Sequence, residues 1–117
     1  RGGKEPNYDK ESVENTLIAL REAEVNESIM IDASHGNSQK KFKQQIPVVQ
    51  SIADQIISGN SYIKGVMIES HLNEGNQKIS DKLKYGQSIT DACMGWDDTL
   101  SCLDQLNLAV EKRRSKK

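Results

Sequence analysis

Ser28-Ile29-Met30-Ile31-Asp32-Ala33-Ser34-His35-Gly36-Asn37-Ser38 is the stretch on which the architecture of this chain turns. A short apolar run bounded by polar residues predicts a strand at 28–32, and a run of this kind suits a strand covered on both faces. The small polar residues at 33–38 then form a loop that hands the chain to a helix. Upstream, Val13, Leu17, Leu20 and Ala23 recur at helical spacing, with Glu and Arg between them. Asp9 is placed to cap that helix, and it ends near 24–26. Downstream, Phe42, Ile46, Val49, Ile52, Ala53, Ile56 and Ile57 draw a broad helical stripe over about 40–58. Pro47 requires a kink there or a helix start close before it, and Gly59-Asn60 terminates the helix. Tyr62-Ile63-Lys64-Gly65-Val66-Met67-Ile68-Glu69 reads as a second strand. A long polar approach at 70–87 leads to a third short strand, Ser88-Ile89-Thr90-Asp91. After Gly95 a last helix carries Leu100, Leu103, Leu106 and Val110 on one face. Strands alternating with helices at this period mean βα units and a parallel sheet, the α/β class.

The chain has 117 residues with 16 Lys+Arg against 17 Asp+Glu, so its net charge of -1 sets up no field that selects nucleic acid. The basic run at 112–117 has no interleaved aromatics and reads as a helix C-terminus complementing its dipole. Cys93 and Cys102 are too few for a disulfide framework, which favours a reducing cytoplasm. No apolar run approaches the length of a membrane span. The hydrophobic share of 35% is lean for a self-sufficient core, and the chain opens on Arg1-Gly2-Gly3 without an initiator Met. Both point to part of a larger domain.

In parallel α/β folds ligands gather at the carboxyl ends of the strands. Strand one leads through Asp32 to His35, strand two ends on Glu69 and strand three on Asp91. An imidazole and two carboxylates on one rim make a mixed N/O ligand set suited to Mn, Fe, Co, Zn or Mg, with positions left for substrate. Each alone has a plainer reading. A His in a polar loop is commonly a hydrogen-bonding residue at a helix start, and Glu69 or Asp91 could cap a helix or pair with a lysine. Asp32 and His71 compete as nearby alternatives. Cys93, two residues past Asp91, reads as a small buried hydrophobe, and Trp96 as packing against the sheet. Arg1-Gly2-Gly3 could be a turn or a lone RNA-binding element. Alternatively, Arg1 could grip a phosphate or carboxylate from the end of a preceding strand. One βα unit separates Arg1 from His35, as one separates His35 from Glu69, and this spacing favours the last reading.

Arg1-Gly2-Gly3-Lys4-Glu5-Pro6-Asn7-Tyr8, Met30-Ile31-Asp32-Ala33-Ser34-His35-Gly36-Asn37-Ser38, Gly65-Val66-Met67-Ile68-Glu69-Ser70-His71-Leu72 and Tyr85-Gly86-Gln87-Ser88-Ile89-Thr90-Asp91-Ala92-Cys93 follow one another as blocks of a known enzyme family. The chain resembles the C-terminal third of the type I 3-deoxy-D-arabino-heptulosonate 7-phosphate synthases over its whole length. The resemblance implies that residues 1–117 are the last units of a single TIM (β/α)8 barrel, with no separate second domain. The implied reaction condenses phosphoenolpyruvate with erythrose 4-phosphate, releasing phosphate, as the first step toward the aromatic amino acids. It implies a divalent metal (Mn, Fe, Co or Zn) held by a Cys, a His, a Glu and an Asp; His35, Glu69 and Asp91 fall on the last three. Arg1 falls on the arginine that holds the phosphoenolpyruvate anion. A cytoplasmic homo-oligomer is also implied, without nucleic-acid or membrane partners. Neither Cys93 nor Cys102 matches the family's ligand Cys, and the loop at 79–84 is shorter than the family's. Other readings are an octulosonate 8-phosphate synthase or a non-catalytic α/β interaction module.

Overall fold

Asp9 opens the first helix through its side chain, accepting from the Ser12 amide at 3.1 Å. In the computed structural model, which describes residues 2–116, this helix is α1 (Lys10–Glu22), and Val13 and Leu17 are its buried positions. Arg1, the candidate anion-gripping residue, lies outside the described residues. Strand β1 (Ile29–Asp32) follows, then a single-turn helix α2 (His35–Ser38) inside the expected loop. A 3-10 turn (Phe42–Gln44) leads into α3 (Gln45–Ile57), so Pro47 falls in the first turn. Amides of a first turn have no intrahelical acceptor, and the ring is tolerated there. Strand β2 is Ile63–Met67, and the chain closes on α4 (Trp96–Ser115).

The two strands pair in parallel, with Met30 opposite Gly65 and Asp32 opposite Met67. The ladder runs one bond further, the Ala33 amide donating to the Met67 carbonyl at 2.8 Å. Both strands therefore release the chain at the same edge, Ser34-His35 on one side and Ile68-Glu69 on the other. Ile31 and Ile63 are buried in the core with Val48, Val49, Ile52 and Ile56 of α3. The α3 helix packs against α4, where Gln105 donates to Gln50 across the seam.

Four expectations are corrected. The strand at 28–32 is covered on one face only: Ile31 is buried, whereas Met30 is 71% exposed, because helices lie against just one side of this two-stranded sheet. No strand forms at 88–91. There the Ser88 hydroxyl accepts the Thr90 amide at 3.1 Å, a local bond that takes the place of a ladder, and only isolated bridges such as Asn76 with Ser88 remain. The buried face of α4 carries Thr99, Cys102 and Ala109 rather than Leu100 and Leu103, which are exposed. Small side chains let α3 and α4 approach; Leu106 and Val110 pack against the core as expected, whereas Leu100 and Leu103 turn outward. Trp96 is likewise 48% exposed and does not pack inside.

The segment at 70–87 is held by its own amides. Gln77 accepts from the Lys84 amide at 2.9 Å and donates back to the Lys84 carbonyl at 2.8 Å. At the other end of the fold the basic tail of α4 does more than face water. The Arg113 guanidinium donates to the Asn60 carbonyl at 2.9 Å, and Lys116 donates to the Ile57 carbonyl at 2.8 Å. Lys116 thus meets the last carbonyl of α3, which has no helical partner, and Arg113 holds the segment just past the helix end. Arg113→Ala is expected to cost about 1.5 kcal/mol, the lower end of the range for hydrogen bonds to charged groups. Urea denaturation checks this, and high salt should shrink the difference. No helix among the described residues is long and apolar enough to cross a membrane.

Candidate metal centre

Where β1 ends, the Asp32 carboxylate organises the turn. One oxygen accepts both the Ser34 amide (2.8 Å) and the Ser34 hydroxyl (2.5 Å); the other lies 2.8 Å from His35 Nδ1. Partial burial pushes the Asp32 carboxyl upward, but the bonds from Ser34 and His35 outweigh it and hold the group below its ordinary 3.8. An ionised carboxylate only accepts, so the hydrogen of the imidazole is assigned to Nδ1 from its partner. His35 itself has φ 48°, a left-handed conformation that favours glycine. Its ring is buried, 11% exposed at the side chain. Such backbone strain is held in place by the surroundings: Asn37 donates to the Asp32 carbonyl at 2.8 Å and accepts the Asn7 amide at 2.7 Å. Gly2 rests on this same turn. Its φ is +88°, and a Cβ there would come within 3.1 Å of the Gly36 Cα.

With Nδ1 committed to Asp32, the other nitrogen faces two carboxylates. His35 Nε2 lies 3.4 Å from Glu69 Oε2 and 3.7 Å from Asp91 Oδ2. The three atoms lie within 4.8 Å of one another, the one group of this kind among the described residues. A neutral imidazole with its hydrogen on Nδ1 turns a lone pair toward two acceptors. A shared positive charge, a proton or a metal ion, offsets the repulsion between two such carboxylates. One nitrogen and two carboxylate oxygens fit a borderline or hard divalent cation, and the pinned Nδ1 is the second-shell arrangement that fixes the tautomer of a ligating histidine.

The three expected residues therefore meet, although Asp91 arrives on an irregular segment and Glu69 sits two residues beyond β2. Asp32 stands behind His35 rather than competing with it. His71 is turned away, its Nδ1 accepting the Leu72 amide at 2.8 Å. Cys93 is half-buried and donates to the Asp91 carbonyl at 3.4 Å. Burial first, then the Glu69 and Asp91 charges, push its thiol up. Sequence reasoning missed Lys4, which with His35, Gly36 and Lys40 lines an open cavity of about 440 Å³. Lys40 also lines a smaller one of about 190 Å³ with Glu69 and Asp91. It missed Gln45 as well. This polar residue lies in phase with the α3 stripe of Val49, Ile52 and Ile56, and that was the available signal. A larger cavity, about 610 Å³ and lined by Lys10, Leu17, Asp54 and Tyr62, lies between α1 and α3 and contains none of these residues.

The Asp32 shift has a measurable consequence. Its folded value lies below 3.8, so the stability it contributes is complete above that pH and is lost as pH falls through the folded value. Wild-type protein should therefore lose more stability between pH 7 and pH 3 than Asp32→Asn, by urea midpoints; equal losses would contradict the assignment.

Residues 1–104 match the model of the DAHP synthetase I family. The chain belongs to that family. It is 50% identical to the Phe-sensitive phospho-2-dehydro-3-deoxyheptonate aldolase of Escherichia coli K12, covering 97% of this chain and 33% of that one. To the tyrosine-inhibited aldolase of Schizosaccharomyces pombe it is 52% identical, over 97% of this chain and 32% of the relative. Among solved structures, the phospho-2-dehydro-3-deoxyheptonate aldolase of Francisella tularensis superimposes with a TM-score of 0.92 at 46% identity, over 97% of this chain and 33% of that one. This DAHP synthetase I chain thus spans about a third of the length of the relatives it matches.

Proposed function

We propose that these 117 residues are the C-terminal portion of a single TIM-barrel catalytic domain that condenses phosphoenolpyruvate with erythrose 4-phosphate. The products are 3-deoxy-D-arabino-heptulosonate 7-phosphate and phosphate, opening the route to the aromatic amino acids. The observation that carries the reading is the meeting of His35 Nε2, Glu69 and Asp91 in front of Asp32, in a DAHP synthetase I chain. In this reading the three side chains hold a divalent cation, Mn, Fe, Co or Zn. When bound, the cation supplies Lewis-acid polarisation of the sugar aldehyde toward attack by the nucleophilic carbon of phosphoenolpyruvate.

Asp32 keeps the hydrogen on Nδ1, so Nε2 presents its lone pair. Glu69 and Asp91 balance the positive charge. Lys4 and Lys40, beside the cluster, attract the substrates' anionic groups, and Arg1 takes the phosphoenolpyruvate anion through its planar fork. The working protein is a cytoplasmic homo-oligomer. The 117-residue chain alone is inactive, since the family's Cys ligand and its remaining anion-holding residues have no counterpart in it.

A chimera tests this: the chain replaces the matching third of the E. coli Phe-sensitive relative and is assayed with Mn²⁺ for phosphate release. The expected result is manganese-dependent condensation with erythrose 4-phosphate in preference to arabinose 5-phosphate, and none from the 117-residue chain alone. A folded chimera with no activity, or one that prefers arabinose 5-phosphate, would overturn the assignment.

A further inference from the structure

We propose that Gln45 is a positioning residue of the metal centre, its buried amide clasping both backbone polar groups of Glu69 and so fixing where that carboxylate points. The proposal rests on the reading above that His35, Glu69 and Asp91 hold a divalent cation.

Gln45 is the first residue of α3 and is 1% exposed. Its Oε1 accepts the Glu69 amide at 2.8 Å, and its Nε2 donates to the Glu69 carbonyl at 3.0 Å, across 24 residues of sequence. A third contact, Nε2 to the Phe42 carbonyl at 3.3 Å, ties the amide to the turn before α3. The clasp occurs where the sheet has run out. The ladder between β1 and β2 ends with Ala33 and Met67, so β1 does not extend alongside Glu69. One side-chain amide replaces the donor and acceptor that a neighbouring strand would present.

The Glu69 carbonyl also accepts the Met94 amide at 3.0 Å. Met94 is fully buried and lies three residues past Asp91. A single peptide carbonyl therefore joins the α3 start, the Glu69 segment and the segment bearing Asp91. An apolar side chain would fill the site at 45 without the desolvation that a buried amide entails. What the amide contributes is placement. Gln55 provides the contrast. It is also buried, but it donates to the Tyr8 carbonyl at 2.8 Å, its Oε1 has no partner, and it touches no candidate ligand.

The test is zinc binding by the 117-residue chain, with Zn²⁺ alone as the probe, by calorimetric titration. Wild type should bind one equivalent, and Glu69→Gln should abolish binding. Gln45→Met, which keeps length and volume without an amide, should bind about 10- to 100-fold more weakly, the usual effect of losing an outer-shell partner. Gln55→Met should bind as wild type. A folded Gln45→Met chain with wild-type affinity overturns this proposal alone. Failure of the wild-type chain to bind zinc overturns the metal reading, and this proposal with it. If Gln45→Met does not fold, NMR of the wild-type chain decides. Zinc should shift the Gln45 side-chain amide resonances and slow their exchange while leaving those of Gln55 unchanged; unmoved Gln45 resonances overturn the proposal.

Discussion

If His35, Glu69 and Asp91 hold the cation as proposed, Glu69→Gln is expected to lower affinity for zinc or manganese by about a thousandfold or more. That factor corresponds to about 4 kcal/mol, in the several-kcal/mol range of the charge stabilisation that metal sites supply. The substitution keeps side-chain length and shape, and the backbone of residue 69 stays in the Gln45 clasp. What disappears is one of two negative charges facing His35 Nε2 at 3.4 and 3.7 Å. Asp91→Asn should have a comparable effect. The double variant should fall short of the sum, because the two carboxylates act on one ion and their contributions are coupled. In the chimera both variants should lose condensation activity. Retained affinity in a folded Glu69→Gln protein would show that the cation binds without Glu69 and would contradict this ligand set.

Ile52→Ala is the second large effect, and it acts on folding. Ile52 is fully buried at the middle of α3, among Val48, Val49 and Ile56. Truncation removes transfer energy and leaves a cavity, at a cost of about 2–5 kcal/mol. Against a typical domain stability of about 5–15 kcal/mol, that is a large share. A fall of more than about 10 °C in Tm is expected by thermal denaturation. The comparison that gives this force is Leu103→Ala. Helical periodicity on α4 puts Leu103 in the core, whereas the structure leaves it 49% exposed. Its substitution should change stability by about 0.5 kcal/mol or less. Equal losses for the two variants would contradict the packing described for α4. Because α3 begins with Gln45, Ile52→Ala should also weaken metal binding as the helix loosens.

The elements legible in the sequence were those whose signal is local. Asp9 capped α1 as its residue type suggested, and the apolar stripe of α3 and both strands stood where periodicity placed them. The three candidate ligands were found by one rule, that chemistry gathers past the carboxyl ends of parallel strands. What the rule could not supply was the route. Asp91 reaches the cluster without a strand, because bonds such as Ser88 Oγ to the Thr90 amide satisfy that segment locally. The orienting role of Asp32 depends on a turn in which His35 takes a positive φ, which no periodicity announces. Gln45 looked like a polar interruption of an apolar stripe. Its partner lies 24 residues away, and only tertiary structure pairs them. The face of α4 was legible in part: Leu106 and Val110 pack on the core, but Leu100 and Leu103 do not, because helix–helix approach is decided by the small residues Thr99, Cys102 and Ala109.

The most direct test of the metal reading is a crystal structure of the protein grown with Mn²⁺, with diffraction recorded to give the manganese anomalous signal. The account predicts one strong peak in contact with His35 Nε2, Glu69 and Asp91 together, while Asp32 remains on Nδ1. A peak elsewhere, or manganese-loaded crystals with no peak between these three side chains, would contradict it.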